Sequence, residues 1–417
     1  MKSTSDKALP ALASALCLGT VDPVLPQTLE NPEFHPQKVL ATAEKINYNS
    51  KIPFRQVSTT MSKNKIPELR KKIDEIDDKL VDLLNERAKI VIEVGNVKKT
   101  EKLDFHSPSR EREILERLTA RNKGPFPQDT LKAVYHEIPS SSLSLERPMK
   151  VAYLGPRATF THQAGMQQFG YAAQYVPTGS IREIFGEVER GRADFGVVPI
   201  ENSTEGVVNY TLDTFIDSDL KIYAEILLEV SQNLMNKSGR IEDIKKIYTH
   251  PQVPGQCRLW LEKNLPGIPI MDAPSTARAA EMAAADSSLG AIASEMAAML
   301  YGLQMVAGRI EDNPHNFTRF LVIAPKSPGR TGRDKTSIMF SIKYRVGALY
   351  DMLAPFAAHG INLNRLDARP SGRKVWDYVF FLDMEGHIED EKVFAAIERL
   401  RQDCMFLKVL GSYPRCQ

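Results

Sequence analysis

Arginine and lysine recur at spacings that could grip a small dianion. Arg70 and Arg87 are 17 residues apart. At 100° per residue that is about 1700°, about 100° short of five turns, so both can border one interhelical cavity. Lys98 lies eleven residues past Arg87, about three turns on and back on the same face. Arg110 stands beside Glu111 at the opening of a later segment. Arg holds carboxylates through paired N–H bonds, so cations converging on a helical bundle suit a dicarboxylate. The same residues could equally be solvated charges on a helix surface, where most Lys and Arg are found. Further along, polar residues follow apolar runs. Thr159 and Thr161 come after Lys150–Leu154, and Glu201, Asn202, Ser203 and Thr204 after Phe195–Ile200. Side chains beyond the ends of buried strands reach clefts. Asn202-Ser203-Thr204 also spells a glycosylation acceptor, relevant only to a secreted chain. Glu201 and Glu205 could be helix-cap carboxylates, and His250 before Pro251 reads as a turn residue.

The elements that position these residues fall into distinct stretches. Apolar residues from Ile66 to about Lys99 recur every three or four positions, with no Gly or Pro between Glu68 and Val94. This predicts one helix of about 30 residues, near 45 Å long. Such a helix needs an apolar partner, and a second chain would supply one. Ser107-Pro108 opens a second helix running to about Asn122. A third starts near Gln128 and contains Pro139, which should kink it and shift Ser142 and Glu146. After Arg147-Pro148, short strands alternate with helices, which is α/β composition. Residues 326–335 form a Pro- and Gly-bearing linker. Strand 336–343, helix 347–358, strand 362–369, strand 374–383, helix 390–401 and strand 406–413 then give the βαββαβ order of a ferredoxin-like unit. The expected domains are therefore 61–147, 148–325 and 336–417, behind a disordered leader over 1–60 rich in Pro, Asn, Gln and Ser.

Composition narrows the function. The 417 residues carry 54 Lys plus Arg against 52 Asp plus Glu, a net charge of +2 that disfavours nucleic acid or membrane surfaces as partners. Hydrophobic residues make 42% and charged residues 25%, which excludes disorder over most of the length. Four scattered cysteines make neither a disulfide framework nor a zinc site and fit a reducing, cytoplasmic setting. Ala8–Val21 is a weak signal-peptide candidate, interrupted by Pro10, and no apolar run reaches about 18 residues. No G-x-G-x-x-G occurs. Neither a metal nor a cofactor is expected.

Three sets of residues carry a resemblance. LRKKIDEIDDKLVDLLNERAKIVIEVGNVKK with PSRERE resembles the all-helical chorismate mutases over about residues 66–147. YLGPRATFTHQA, VPIENSTEGVV, YTHPQVPGQC and NFTRFLVI, in that order, resemble prephenate dehydratase. GALYDMLAPFAAHGINLNRLDARPS resembles the phenylalanine-binding ACT domain. Together they resemble the bifunctional chorismate mutase/prephenate dehydratase family. The resemblance implies an all-α mutase domain, a two-lobed α/β dehydratase domain like periplasmic binding proteins, and a ferredoxin-like ACT domain. It implies chorismate and prephenate as substrates, phenylalanine as effector, and a homodimer or higher homo-oligomer.

By the same resemblance, Arg70, Arg87 and Arg110 would hold the carboxylates of chorismate, with Arg70 crossing from a partner chain. Lys98 would donate to the ether oxygen, Glu111 would anchor the hydroxyl, and Glu146 and Ser142 would lie near the ether oxygen. In the dehydratase, Thr318 would act on the departing hydroxyl. Arg319 would bind carboxylate or brace its loop. Glu201, Asn202, Ser203, Thr204, Gln256, Thr159, Thr161 and Phe320 would line the cleft. Gly347, Ala348, Leu349, Asn362, Leu363, Asp367 and Arg369 would hold phenylalanine. Two departures stand out. Ala158 replaces a usual Gly, at a cost of about 1 kcal/mol if φ is positive. Asp367 replaces a usual Glu, which should loosen effector binding.

Overall fold

The computed structural model describes residues 65–101, 106–342, 345–370 and 378–416. The expected leader over 1–60 and the start of the strand expected at 374 lie outside the described residues. Helix α1 spans Lys65–Glu101, 37 residues and about 55 Å. Its apolar positions recur as expected, yet Leu69, Ile73, Ile76, Leu80 and Leu84 stay 46–56% exposed. Only Gly95 of α1 is buried. Helix α2 (Pro108–Arg121) begins with Pro at its first position after Ser107. Helix α3 (Gln128–Glu146) remains a single helix through Pro139.

The next region has two α/β lobes. Its elements begin with β1 (Lys150–Leu154), α4 (Phe160–Phe169), β2 (Gln174–Thr178), α5 (Ile181–Glu189) and β3 (Phe195–Asn202). There follow β4 (Gly206–Val207), α6 (Asn209–Asp217) and β5 (Lys221–Glu229). The chain then crosses to β6 (Asn233–Asn236), β7 (Lys246–Thr249), α7 (Val253–Gln256), α8 (Arg258–Asn264) and β8 (Ile270–Asp272). Helix α9 (Thr276–Ala285), β9 (Leu289–Ala293), α10 (Glu295–Tyr301) and β10 (Gln304–Ala307) complete that lobe. The chain returns to the first lobe in β11 (Phe317–Ala324). The first sheet runs β2-β1-β3-β11-β5 and the second β10-β6-β9-β7-β8. Strands β1 and β3 are parallel, and β11 lies antiparallel between β3 and β5. These strands are covered on both faces, which explains their continuous apolar runs. The second lobe packs alanines from α9, β9 and α10 into its core, so its helices sit close to its sheet.

The third region contains β12 (Asp334–Ile342), α11 (Ala348–Ala358), β13 (Leu363–Pro370), β14 (Tyr378–Glu385), α12 (Glu391–Asp403) and β15 (Cys404–Pro414). This is the βαββαβ order read from the sequence, with sheet order β13-β14-β12-β15. Strand alternation divides the sheet. Ile338, Phe340, Leu382 and Met384 face α11 and α12. Met339, Phe381, Leu410 and Tyr413 face the first lobe and share a core with Phe215, Ile222 and Leu321. Gly411 permits the closest approach: a Cβ there would stand 3.0 Å from the Ile222 nitrogen and closer still to its carbonyl oxygen.

Candidate functional site

The two lobes enclose a cavity of about 1010 Å³. Thr159, Thr161, Asn202, Gln256, Thr318 and Phe320 line it, so six of the expected cleft residues meet there. Thr159 caps α4 by accepting the His162 N–H, and its own hydroxyl donates to the Leu154 carbonyl at 2.8 Å. Across the cleft, Ser275 caps α9 in the same way. Two helix N-termini therefore open on the cavity from opposite lobes, a setting that favours anions. Arg278 adds a guanidinium to the same wall.

Hydrogen-bond direction orients Thr318. Asn202 Oδ1 accepts from the backbone N–H groups of Thr204 and Glu205, both at 2.9 Å, which fixes its amide. Asn202 Nδ2 then donates to Thr318 Oγ1 and to Asn316 Oδ1, each at 2.8 Å. Because Thr318 Oγ1 accepts, its own proton is available to a group in the cavity. Asn316 donates to Gln256 Oε1 at 3.2 Å. Gln256 and Gln252 donate across the cleft to the Glu205 carboxylate at 3.1 and 3.2 Å. Asn316, Gln252, Gln232 and Arg278 were not singled out from the sequence, and Glu205 was read there only as a possible helix-cap carboxylate. Asn316 and Glu205 stand inside the motifs that were, so their polar neighbours were the available signal.

The turn into α4 is held in an unusual conformation. Ala158 has φ +64°, as its replacement of Gly implied. Its N–H donates to His162 Nδ1 at 3.1 Å. His162 stacks on Tyr153. Burial, and then the nearby Arg157 charge, lower the His162 pKa to about 4, so the ring is neutral and can accept that bond. Cys257, next to Gln256, is no nucleophile: burial, then Glu311 and Asp312, push its thiol up to about 12.

Four expected cleft residues lie elsewhere. Arg319 points away from the cavity because consecutive strand residues alternate faces. It binds Glu225 and, on β14, Asp383. Glu201 neighbours Asn202 on β3 and likewise faces away, 3.5 Å from Arg365. Ser203 braces its loop, donating to the His315 carbonyl at 3.1 Å and accepting the Phe317 N–H at 2.9 Å. Thr204 is exposed and contributes its backbone N–H.

The helical residues are only partly assembled. Arg87 Nη1 donates to buried Ser142 Oγ at 2.5 Å. Glu146 lies over Gly95, where a Cβ would stand 2.7 Å from Glu146 Cγ. One Glu146 carboxyl oxygen, Oε2, is buried without a hydrogen-bond partner. Lys98 is half-buried on the same stretch of α1. Arg70 cannot join this group within one chain: 17 residues of helix place it about 25 Å from Arg87 along the axis. Matching angle did not imply proximity. Arg110 is exposed and pairs with Glu113 at 2.7 Å. Glu111 turns instead to His106 Nε2 at 3.0 Å. His106 is buried beside Phe169, Phe195 and Tyr223, and its other nitrogen meets Tyr223 Oη at 2.8 Å.

The chorismate mutase type II pattern matches residues 69–147, prephenate dehydratase 151–328 and the ACT domain 336–402. The chain is 52% identical over 354 residues to the bifunctional chorismate mutase/prephenate dehydratase of Aquifex aeolicus, covering 84% of this chain and 98% of that one. The chain belongs to that family. Identity to the Pseudomonas aeruginosa bifunctional enzyme is 42% over 359 residues, covering 84% of this chain and 98% of the other. A solved prephenate dehydratase from Arthrobacter aurescens, in complex with L-Phe, is 36% identical with TM-score 0.60, covering 64% of this chain and 90% of that one. This bifunctional enzyme therefore has both a chorismate mutase and a prephenate dehydratase domain. It converts chorismate to prephenate and prephenate to phenylpyruvate, in phenylalanine biosynthesis. Among the described residues, no helix is long and apolar enough to cross a membrane.

In its ACT domain the expected effector residues separate into two groups. Gly347, at φ +76°, leads into Ala348 and Leu349 at the start of α11. Asn362 donates to Glu385 at 3.2 Å, and Leu363 packs on the helix side of the sheet. Asp367 and Arg369 do not join them. They pair with Phe381 and Val379 of β14, whose side chains face the dehydratase lobe. Arg369 lies 3.2 Å from Asp213 of α6, and Asp367 2.5 Å from Arg365.

Proposed function

We propose that Thr318 assists departure of the ring hydroxyl of prephenate. Breaking the bond between the ring and its carboxylate releases carbon dioxide and sends an electron pair into the ring. The hydroxyl leaves as the ring becomes aromatic, and a proton must meet it. Asn202 donating to Thr318 Oγ1 at 2.8 Å carries this reading, because it leaves the threonine proton free to donate. Threonine is a weak acid, so the role is hydrogen-bond donation at the leaving oxygen. The N-terminal ends of α4 and α9, with Arg278, hold the carboxylates. Phe160, Val207, Val208 and Phe320 supply apolar wall, which favours loss of charge as carbon dioxide forms. Feeding chorismate and resolving prephenate and phenylpyruvate over time tests the assignment. Thr318→Ala should lower dehydratase kcat about 10²–10⁴-fold while mutase turnover is kept. An unchanged kcat would remove the role.

For the mutase, the support points to a homodimer. A second α1 would cover Leu69, Ile73, Ile76, Leu80 and Leu84 and bring the partner's Arg70 towards Arg87, Ser142, Lys98 and Glu146. The chemistry is a rearrangement without covalent catalysis, so holding a compact conformer and stabilising charge on the ether oxygen suffice. The working units are residues 61–147, 148–325 and 336–417 joined by 326–335, in the cytoplasm. Phenylalanine is the effector, held around Gly347–Leu349 and Asn362–Leu363, where the free N–H groups of α11 can meet its carboxylate.

A further inference from the structure

Thr318 and Asn202 sit opposite each other on the β11–β3 ladder, and Arg319 and Glu201 occupy the next rung. The register then shifts between Arg319 and Phe320, so a β-bulge follows directly. One rung faces the cavity and the adjacent rung faces the ACT sheet. Arg319 is the centre of the second. It donates to Asp383 Oδ2 at 2.7 Å, Glu225 Oε2 at 2.9 Å and Tyr413 Oη at 3.1 Å. Ser337 fixes the other oxygen of Asp383 at 2.5 Å. Lys335 reaches back to Glu225 at 2.7 Å.

These pairs cross between domains. Arg319 and Glu225 belong to the first lobe, and Lys335 and Asp383 to the ACT sheet. The side chains of Arg319, Asp383 and Glu225 are only 14, 11 and 4% exposed, so the cluster is little screened by water. Without the Asp383 charge, two buried cations would compete for the single carboxylate of Glu225. Arg319 would then be drawn towards β5, at the rung where the extra β3 residue, Ile200, interrupts the ladder between β3 and β11. Its peptide neighbour is Thr318. An error of about 1 Å in such a group can cost about 10²-fold in rate.

We propose that Asp383 is a positioning residue for the dehydratase, acting through Arg319 to set the rung that carries Thr318 and Asn202. The proposal rests on the role given to Thr318 above. It also supplies a route by which movement of the ACT sheet reaches the cleft: β12 and β14 hold Arg319, and Arg319 holds the reacting strand.

The test uses the full-length protein. Asp383→Asn should lower dehydratase kcat about tenfold with the KM for prephenate changed less than about twofold. It should also weaken inhibition by phenylalanine. In the double variant with Thr318→Ala, the loss should be no greater than for Thr318→Ala alone, because both act at one hydroxyl. Full kcat in Asp383→Asn beside a crippled Thr318→Ala would overturn this proposal alone. Full kcat in Thr318→Ala would overturn both it and the role of Thr318. A fully additive double variant, or a loss confined to KM, would also overturn it. Should Asp383→Asn fold poorly, Ser337→Ala, which frees one oxygen of Asp383 without changing charge, decides. A drop of about two- to fivefold in kcat alone supports the proposal, and no change refutes it.

Discussion

The helical region and the two-lobed region solve the same problem, holding a small dianion, in opposite ways. The cleft is complete within one chain. Its polar groups are cross-braced from Asn202 to Glu205, and its acidic and basic neighbours are paired behind it. The helical region is open. Its longest helix keeps a stripe of large apolar side chains exposed and leaves Arg70 far from Arg87. The difference follows from element geometry. A cleft between sheets gathers residues from many loops at one place, whereas one helix spreads its residues along about 55 Å. A helical site therefore needs a second helix from elsewhere to close it.

The strongest way to break the comparison is to charge the α1 stripe. Ile73→Glu with Leu80→Glu should abolish the proposed pairing of chains and lower mutase turnover about 10³-fold or more, since in the proposed dimer the partner's Arg70 would be lost with it. Dehydratase kcat should stay within about twofold. Sedimentation together with both activity assays checks this, and a monomer with full mutase activity would refute it. The comparison is sharpened by Glu146→Gln. An amide at this position donates a hydrogen bond to an ether oxygen, whereas a carboxylate can only accept one. The variant should therefore raise mutase turnover about tenfold, and an unchanged rate would refute a place for Glu146 at the ether oxygen. Dehydratase turnover should not change. The smallest effect is expected at Ala158. Gly there relieves a left-handed alanine, offset in part by greater unfolded-chain entropy, so Ala158→Gly should add about 0.5–1 kcal/mol of stability. Thermal unfolding measures it, and an unchanged midpoint would mean that burial of the Ala158 methyl in the second-lobe core offsets the strain.

Much of this was legible in the sequence. The βαββαβ order, the α1 periodicity and the position of α3 follow from patterns that local chemistry enforces. The strain at Ala158 was legible because a residue type stood where only φ mattered. The cleft was legible as a set of loops, but not residue by residue. Arg319 and Glu201 sit in the same motifs as Thr318 and Asn202, and a motif does not say which strand residue faces which way. Alternation does, once one residue is placed. The sheet face of Asp367 and Arg369 was hidden for the same reason. The contact of Glu111 was not legible either: buried His106 needs a hydrogen-bond partner, and that demand arises only when the helices meet β5. Short strands such as β6, β8 and β10 escaped because three or four residues carry too little periodicity.

Gly411 bears on modularity. Family patterns and the linker expected at 326–335, whose Asp334 and Lys335 instead open β12, present the ACT unit as a cassette that could be traded between enzymes. Its last strand, β15, however, lies against the backbone of β5 at Ile222 with no room for even one methyl group. A graft joined at the linker would bring its own residue at that position, and any side chain there would push the new sheet off the lobe. The seam between catalyst and regulator is thus a backbone contact, and a recombinant that respects the domain boundary still has to respect this one atom.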